Sequence, residues 1–64
     1  MELTEQECAV MELVRKGHTN RAIGRELGIS EHTVAAHMRS IFAKLDVTSR
    51  AAAVGRYDEL HPPS

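Results

Sequence analysis

Gly28-Ile29-Ser30 joins two helical segments through only these three residues, and no other feature of the chain restricts its fold as much. A glycine here can take the left-handed conformation that ends a helix, and a serine can cap the next by accepting from a backbone N–H of its first turn. The two helices must then meet at a sharp corner, with Ile29 plugging its inner side. The segment before the corner reads as a two-turn helix over about 20–27, capped by Thr19, with Ala22, Ile23 and Leu27 inward. The segment after it, about 31–45, is the longest helix. Stepping roughly 100° per residue from Val34 keeps Met38, Ile41 and Leu45 within about 40° of it, a core stripe with Phe42 at its edge. His32, Ala35, Ala36, Arg39 and Ala43 fall roughly 100–200° away and are expected to point outward. Thr33, His37, Ser40 and Lys44 lie on one flank.

Two more helices flank this pair. LTEQECAVMELVRKG carries a capping-box pattern in Thr4 and Glu7, which predicts a helix over about 5–16 with Val10, Leu13 and Val14 as its apolar stripe and Gly17 at its end. Thr48 or Ser49 can cap a fourth helix, RAAAVGRYDEL, over about 49–60, before a proline-containing tail at 61–64. Gly55 weakens that helix by roughly 1 kcal/mol relative to alanine, so it is expected to pack against something. Nothing alternates with period two over a strand's length. The fold class is all-α: a four-helix bundle containing a helix–turn–helix.

Sixty-four residues suffice for a single domain, 1–64, with one small core. With one Phe, one Tyr and no Trp, aliphatic side chains and alanines must fill that core, which favours helices packed at close range. Cys8 is the only cysteine, so neither an intrachain disulfide nor a thiolate cluster can form; no basic residue stands near it, and it reads as a small packing residue. His32 and His37 lie about 140° apart on a helix and do not share a face as a metal pair would. No signal peptide or membrane-length apolar run is present, so a cytoplasmic protein without a membrane partner is expected. The net charge of −1 hides a segregation. Residues 1–14 carry about −4, residues 15–56 hold all eight Lys and Arg against three acids for +5, and Asp58 and Glu59 add −2. A basic centre between acidic ends suits an anionic partner better than the total suggests.

A short helix, a glycine turn and a longer helix with a polar outward face form the layout whose second helix enters the DNA major groove. The competing reading is a helical protein-interaction module with weak or non-specific DNA binding.

LTEQECAVMELVRKGHTNRAIGRELGISEHTVAAHMRSIFAKLDVTSRAAAV, about residues 3–54, resembles the DNA-binding domain of LuxR/FixJ-type (NarL/GerE-like) bacterial transcription regulators. The resemblance rests on the opening L-T-x-x-E, the G-x-(S/T)-N before the second helix, the L-x-I-S-x-x-T-V-x-x-H of the corner, K-L-x-V, and the late R-x-x-A-V. It implies a winged-helix-like domain without the wing, binding of double-stranded DNA at promoter half-sites, dimerisation through the fourth helix, and neither enzymatic activity nor a cofactor, metal or small-molecule ligand. It also implies base contacts at His32, Ala35, Ala36 and Arg39. Family members commonly carry Lys or another polar residue where Ala35 stands, often a base reader at Ala36, and a basic residue at Gln6. Arg39 is therefore the expected guanine reader, with His32 adding one hydrogen bond, and the site is expected to be short and degenerate.

Phosphate contacts are expected from Thr33, His37 and Lys44 on the flank and from Asn20, Arg21 and Arg50 near helix N-termini. Structural alternatives stand beside four of them: Asn20 can support a cap, Thr33 can bond within the corner, Arg50 can pair with Glu7, and His37 can be a neutral packing residue. Arg15, Arg25 and Arg56 read as solvated surface. In the fourth helix, Ala53 and Val54 are expected to cover the core, leaving Ala51, Ala52, Gly55 and Tyr57 for a weak two-fold contact that sets two recognition helices roughly 34–36 Å apart. Family members usually place this domain behind a sensor, and the terminal Pro-Pro-Ser fits a chain end. An excised output domain with an added Met1 is thus expected, with a free-standing small regulator as the alternative; either is bacterial and nucleoid-associated, with RNA polymerase as a further partner.

Overall fold

Four side-chain oxygens start the four helices. Thr4 Oγ1 accepts from Glu7 N–H at 3.1 Å while Glu7 Oε1 accepts from Thr4 N–H at 2.8 Å, the reciprocal capping box that opens α1 (Glu5–Arg15). Thr19 Oγ1 caps α2 (Asn20–Leu27) through Ala22 N–H, Ser30 Oγ caps α3 (Glu31–Leu45) through Thr33 N–H, and Ser49 Oγ caps α4 (Arg50–Leu60) through Ala52 N–H. Each cap stabilises its helix by about 1 kcal/mol. The computed structural model describes residues 2–62, and among these there are four helices and no strand. Lys16 and Ser49 fall just outside α1 and α4, as the caps of those helices. Of the expected tail, His61 and Pro62 are non-helical, while residues 63 and 64 lie outside the described residues.

The C-terminal ends of α1, α2 and α3 close on left-handed residues, whereas α4 ends at His61 with φ −133°. Gly17 (φ 92°) follows α1, and His18 N–H reaches back to Leu13 O at 3.1 Å. Gly28 (φ 71°) follows α2, and Ile29 N–H reaches Gly24 O at 2.9 Å. Asp46 (φ 57°) ends α3 in the same manner without being a glycine.

The core gathers Val10, Met11 and Val14 from α1, Ile23 from α2, Val34, Met38, Ile41 and Leu45 from α3, and Ala53 and Tyr57 from α4. Leu13, Leu27, Ile29, Phe42 and Val54 pack against it half-buried. Met11 is buried where the sequence favours Leu13, because α1 touches α2, α3 and α4 together and buries more than one stripe. Gly55 departs from expectation: a Cβ there would meet no atom within 4 Å, so the glycine faces open space. Gly24, in contrast, lies buried inside the corner, where a Cβ would stand 2.6 Å from Ile29 O. The corner is thus closed at a distance that only glycine permits.

Polar links tie the helices across the core. Glu7 of α1 accepts from Ser40 and Lys44 of α3, at 2.8 and 2.7 Å. Arg15 of α1 pairs with Asp58 of α4 at 3.0 Å, and Tyr57 donates its phenol hydrogen to Glu12 at 2.7 Å. Arg50, the first residue of α4, donates to Asn20 Oδ1 and to the His18 carbonyl.

Candidate nucleic-acid interface

Because Val34, Met38, Ile41 and Leu45 are held in the core, α3 has no rotational freedom, and the residues opposite them face solvent. His32, Ala36, Arg39 and Ala43 are exposed along one stripe, with Ala35 half-buried beside it. Asn20, Glu31, His32 and Ala35 line a shallow depression where the start of α2 meets the start of α3. His32 and Arg39 are the stripe's only groups with hydrogen-bonding side chains; the alanines offer methyls.

The flank of α3 does not remain free along its length. Thr33 hydroxyl and Ser30 hydroxyl lie 2.9 Å apart within the corner, His37 is half-buried, and Ser40 and Lys44 are bound to Glu7. Lys44, expected as a free phosphate donor, is thereby neutralised in an ion pair whose ammonium side chain is 18% exposed. Burial pushes the Glu7 carboxyl up, but donation by Lys44, the Thr4 N–H and Ser40, with the Lys44 charge, outweighs it and holds the pKa at about 2.

Tyr57 also corrects an expectation. Its side chain is 3% exposed and belongs to the core, so it offers no surface for a dimer contact. Desolvation and the bond to Glu12 raise its phenol above the ordinary tyrosine range, and that same bond, the dominant cause, lowers the Glu12 carboxyl. Ala51, Ala52 and Gly55 do lie exposed on α4. Arg50 pairs with Asn20 and His18 rather than with Glu7.

Salt bridges sort the remaining charges. Every ion pair among the described residues uses α1 or lies within α4: Arg15 with Glu12 and Asp58, Lys44 with Glu7, Arg56 with Glu59. Arg15 is held charged above its ordinary range chiefly by Asp58. Arg21, Arg25 and Arg39, on α2 and α3, have no carboxylate within 4.0 Å among the described residues. Opposing charge on the same two helices comes from exposed Glu26 and Glu31. Of the five Lys and Arg without an ion pair among the described residues, Arg21, Arg25 and Arg39 thus lie on the helix–turn–helix, while Lys16 caps the end of α1 and Arg50 begins α4. Arg25 is exposed, as the sequence predicts for solvated surface, whereas the corner's Gly24 went unread there although it stands as a glycine in the middle of an eight-residue helix.

Residues 1–56 match the family model described as bacterial regulatory proteins, luxR family. The chain is 46% identical over 52 residues to the transcriptional regulatory protein DegU of Brevibacillus brevis, covering 81% of this chain and 22% of that protein. It is 45% identical over 51 residues to the nitrate/nitrite response regulator protein NarP of Escherichia coli, covering 80% and 24%. It is 43% identical over 51 residues to the transcriptional regulatory protein LiaR of Bacillus subtilis, covering 80% and 24%. The chain spans about a quarter of the length of these curated relatives. No solved structure matches it significantly.

Proposed function

The chain belongs to the luxR family of bacterial regulatory proteins and carries its helix–turn–helix, and from that premise we propose that the outward stripe of α3 enters the major groove of promoter DNA. The observation that supports this most is the coincidence of exposed His32, Ala36 and Arg39 with the uncompensated cations Arg21, Arg25 and Arg39 on α2 and α3. In this reading Arg39 reads guanine through a bidentate pair worth roughly 1–3 kcal/mol of discrimination, His32 adds one bond, and Ala35 and Ala36 contact thymine methyls. Phosphates are met by Arg21, Thr33 and His37, with Lys44 reaching them only by leaving Glu7.

The rest of the reading follows the family. Residues 1–64 act as one domain, the output part of a larger signal-responsive regulator, in the bacterial cytoplasm on the nucleoid. No helix of the described residues is long and apolar enough to cross a membrane. Two copies associate weakly through Ala51, Ala52 and Gly55 on α4, and RNA polymerase is a further partner at the promoter. The role is binding, with no catalytic step.

Selection from a randomised DNA pool, followed by fluorescence-anisotropy titration at two salt concentrations with the wild type and Arg39→Ala, tests the proposal. A palindromic site whose guanine preference disappears in the variant supports it. Weak, unselective binding untouched by the variant favours a protein-docking module, in which the methyls of Ala35 and Ala36 leave α3 without a base code.

A further inference from the structure

Arg50 begins α4, 30 residues along the chain from Asn20, yet its guanidinium donates to Asn20 Oδ1 at 2.8 Å and to the His18 carbonyl at 2.7 Å. Both acceptors belong to the stretch that leads into α2, and Arg50 and Asn20 are both half-buried. An asparagine amide has an acceptor end and a donor end, and its orientation is set by what it bonds. With Oδ1 held by the guanidinium, the Nδ2 hydrogens are the end left for an occupant of the depression that Asn20 lines with Glu31, His32 and Ala35.

We propose that Arg50 is a positioning residue: it holds the Asn20 amide so that its N–H donates to a DNA phosphate, and does not itself neutralise one. The proposal rests on the DNA-binding reading and deepens it. Adenine recognition by asparagine uses the oxygen and the nitrogen of the amide together, so an amide whose oxygen is engaged is matched instead to an acceptor-only partner such as a phosphate oxygen. The guanidinium charge also polarises the amide it bonds and strengthens its donor end. Glu31 is the one carboxylate lining the depression and is exposed, whereas Arg50 is hydrogen-bonded to the amide oxygen itself. Arg50 thereby couples the first turn of α4 to the DNA-facing start of α2.

Binding of a selected DNA site is measured for the wild type, Asn20→Ala, Arg50→Ala, the double variant and Asn20→Asp, with thermal unfolding of each. Each alanine variant should weaken binding roughly tenfold, the loss of one hydrogen bond to a charged acceptor. The double variant should bind no more weakly than Asn20→Ala, and the salt slope should not change. Asn20→Asp keeps a partner for Arg50 as an ion pair, so it should unfold no lower than the wild type while binding at least as weakly as Asn20→Ala. Additive losses, with the salt slope reduced by about 0.9 in Arg50→Ala, would mean that Arg50 contacts phosphate itself and overturn the proposal. So would an Asn20→Asp variant that binds like the wild type. Failure of the wild type to bind DNA selectively would overturn the DNA reading as a whole, whereas selective wild-type binding with the wrong variant pattern removes the positioning role alone.

Discussion

Lys44 Nζ lies 2.7 Å from Glu7 Oε1, an ion pair that fastens the last turn of α3 to the first turn of α1. With Ser40 and the Thr4 N–H it gives a buried carboxylate three donors, which overcome the desolvation and bring its pKa from 4.5 to about 2. A carboxyl with a folded pKa below its unfolded value contributes stability that is complete above the unfolded value and lost as pH falls through the folded one. The window is therefore about pH 4.5 down to 2, and the loss is roughly 3 kcal/mol, large for a chain of this size. Thermal unfolding followed across pH 2–7 should show that decline. Glu7→Gln should be less stable at pH 7 and flatter below 4.5; a decline as steep as the wild type's would show that other groups carry the acid sensitivity.

Tyr57 packs its ring among the core side chains and stacks it on His61 at 4.5 Å, with its hydroxyl on Glu12. Tyr57→Phe keeps the ring and should lower the melting temperature slightly without altering self-association. Tyr57→Ala should cost about 3–5 kcal/mol through the cavity it leaves, enough to unfold much of the population. A change in sedimentation for Tyr57→Phe would instead return this residue to the interface between copies.

The order and ends of the helices were legible because they are local. Thr4, Thr19, Ser30 and Ser49 act within three residues of themselves, and Gly17 and Gly28 close helices through bonds within one turn. The outward stripe of α3 followed from the same periodicity that placed Val34 inward. What was not legible spans the fold. Glu7 finds Lys44 37 residues away, and Arg50 finds Asn20 rather than Glu7, because pairing depends on how the helices are turned toward one another. Tyr57 reads as an amphipathic surface residue until α1 brings Glu12 to its hydroxyl. Asp46 belongs to the few non-glycine types that tolerate a left-handed backbone, but that tolerance alone does not mark the residue at which α3 ends.

Gly24 allows α2 to approach the Ile29 carbonyl more closely than any side chain would. Gly24→Val should open the corner at a cost of about 1–3 kcal/mol from overpacking, and it should also weaken DNA binding by tilting α3 relative to α2. The checks are chemical denaturation and titration at a temperature where both proteins are folded. Unchanged stability would mean that the turn relaxes freely.

Asp46 ends α3 with a positive φ and a negative charge beside the helix's negative pole, two unfavourable features at one position. Asparagine tolerates the left-handed conformation and lacks the charge. Asp46→Asn should therefore stabilise the domain by about 0.3–1 kcal/mol at low ionic strength, with the gain shrinking as salt is added. A gain independent of salt would trace the effect to the backbone rather than to the charge.

Ala52 is exposed on α4 and its N–H is already bonded to Ser49 Oγ, so the position corresponds to the third residue of a capping box. Ala52→Glu supplies the missing half of that box and should hold or raise the stability of the monomer. Across a two-fold contact the same substitution places like charges against each other, since each copy presents the same patch. The variant should then sediment as a monomer at concentrations where the wild type associates, and should lose affinity for a palindromic site while keeping that for a single half-site. If association persists unchanged, the contact between copies lies away from this face of α4; if association and stability fall together, the substitution has damaged the fold and Ala51→Glu, one residue earlier, repeats the test.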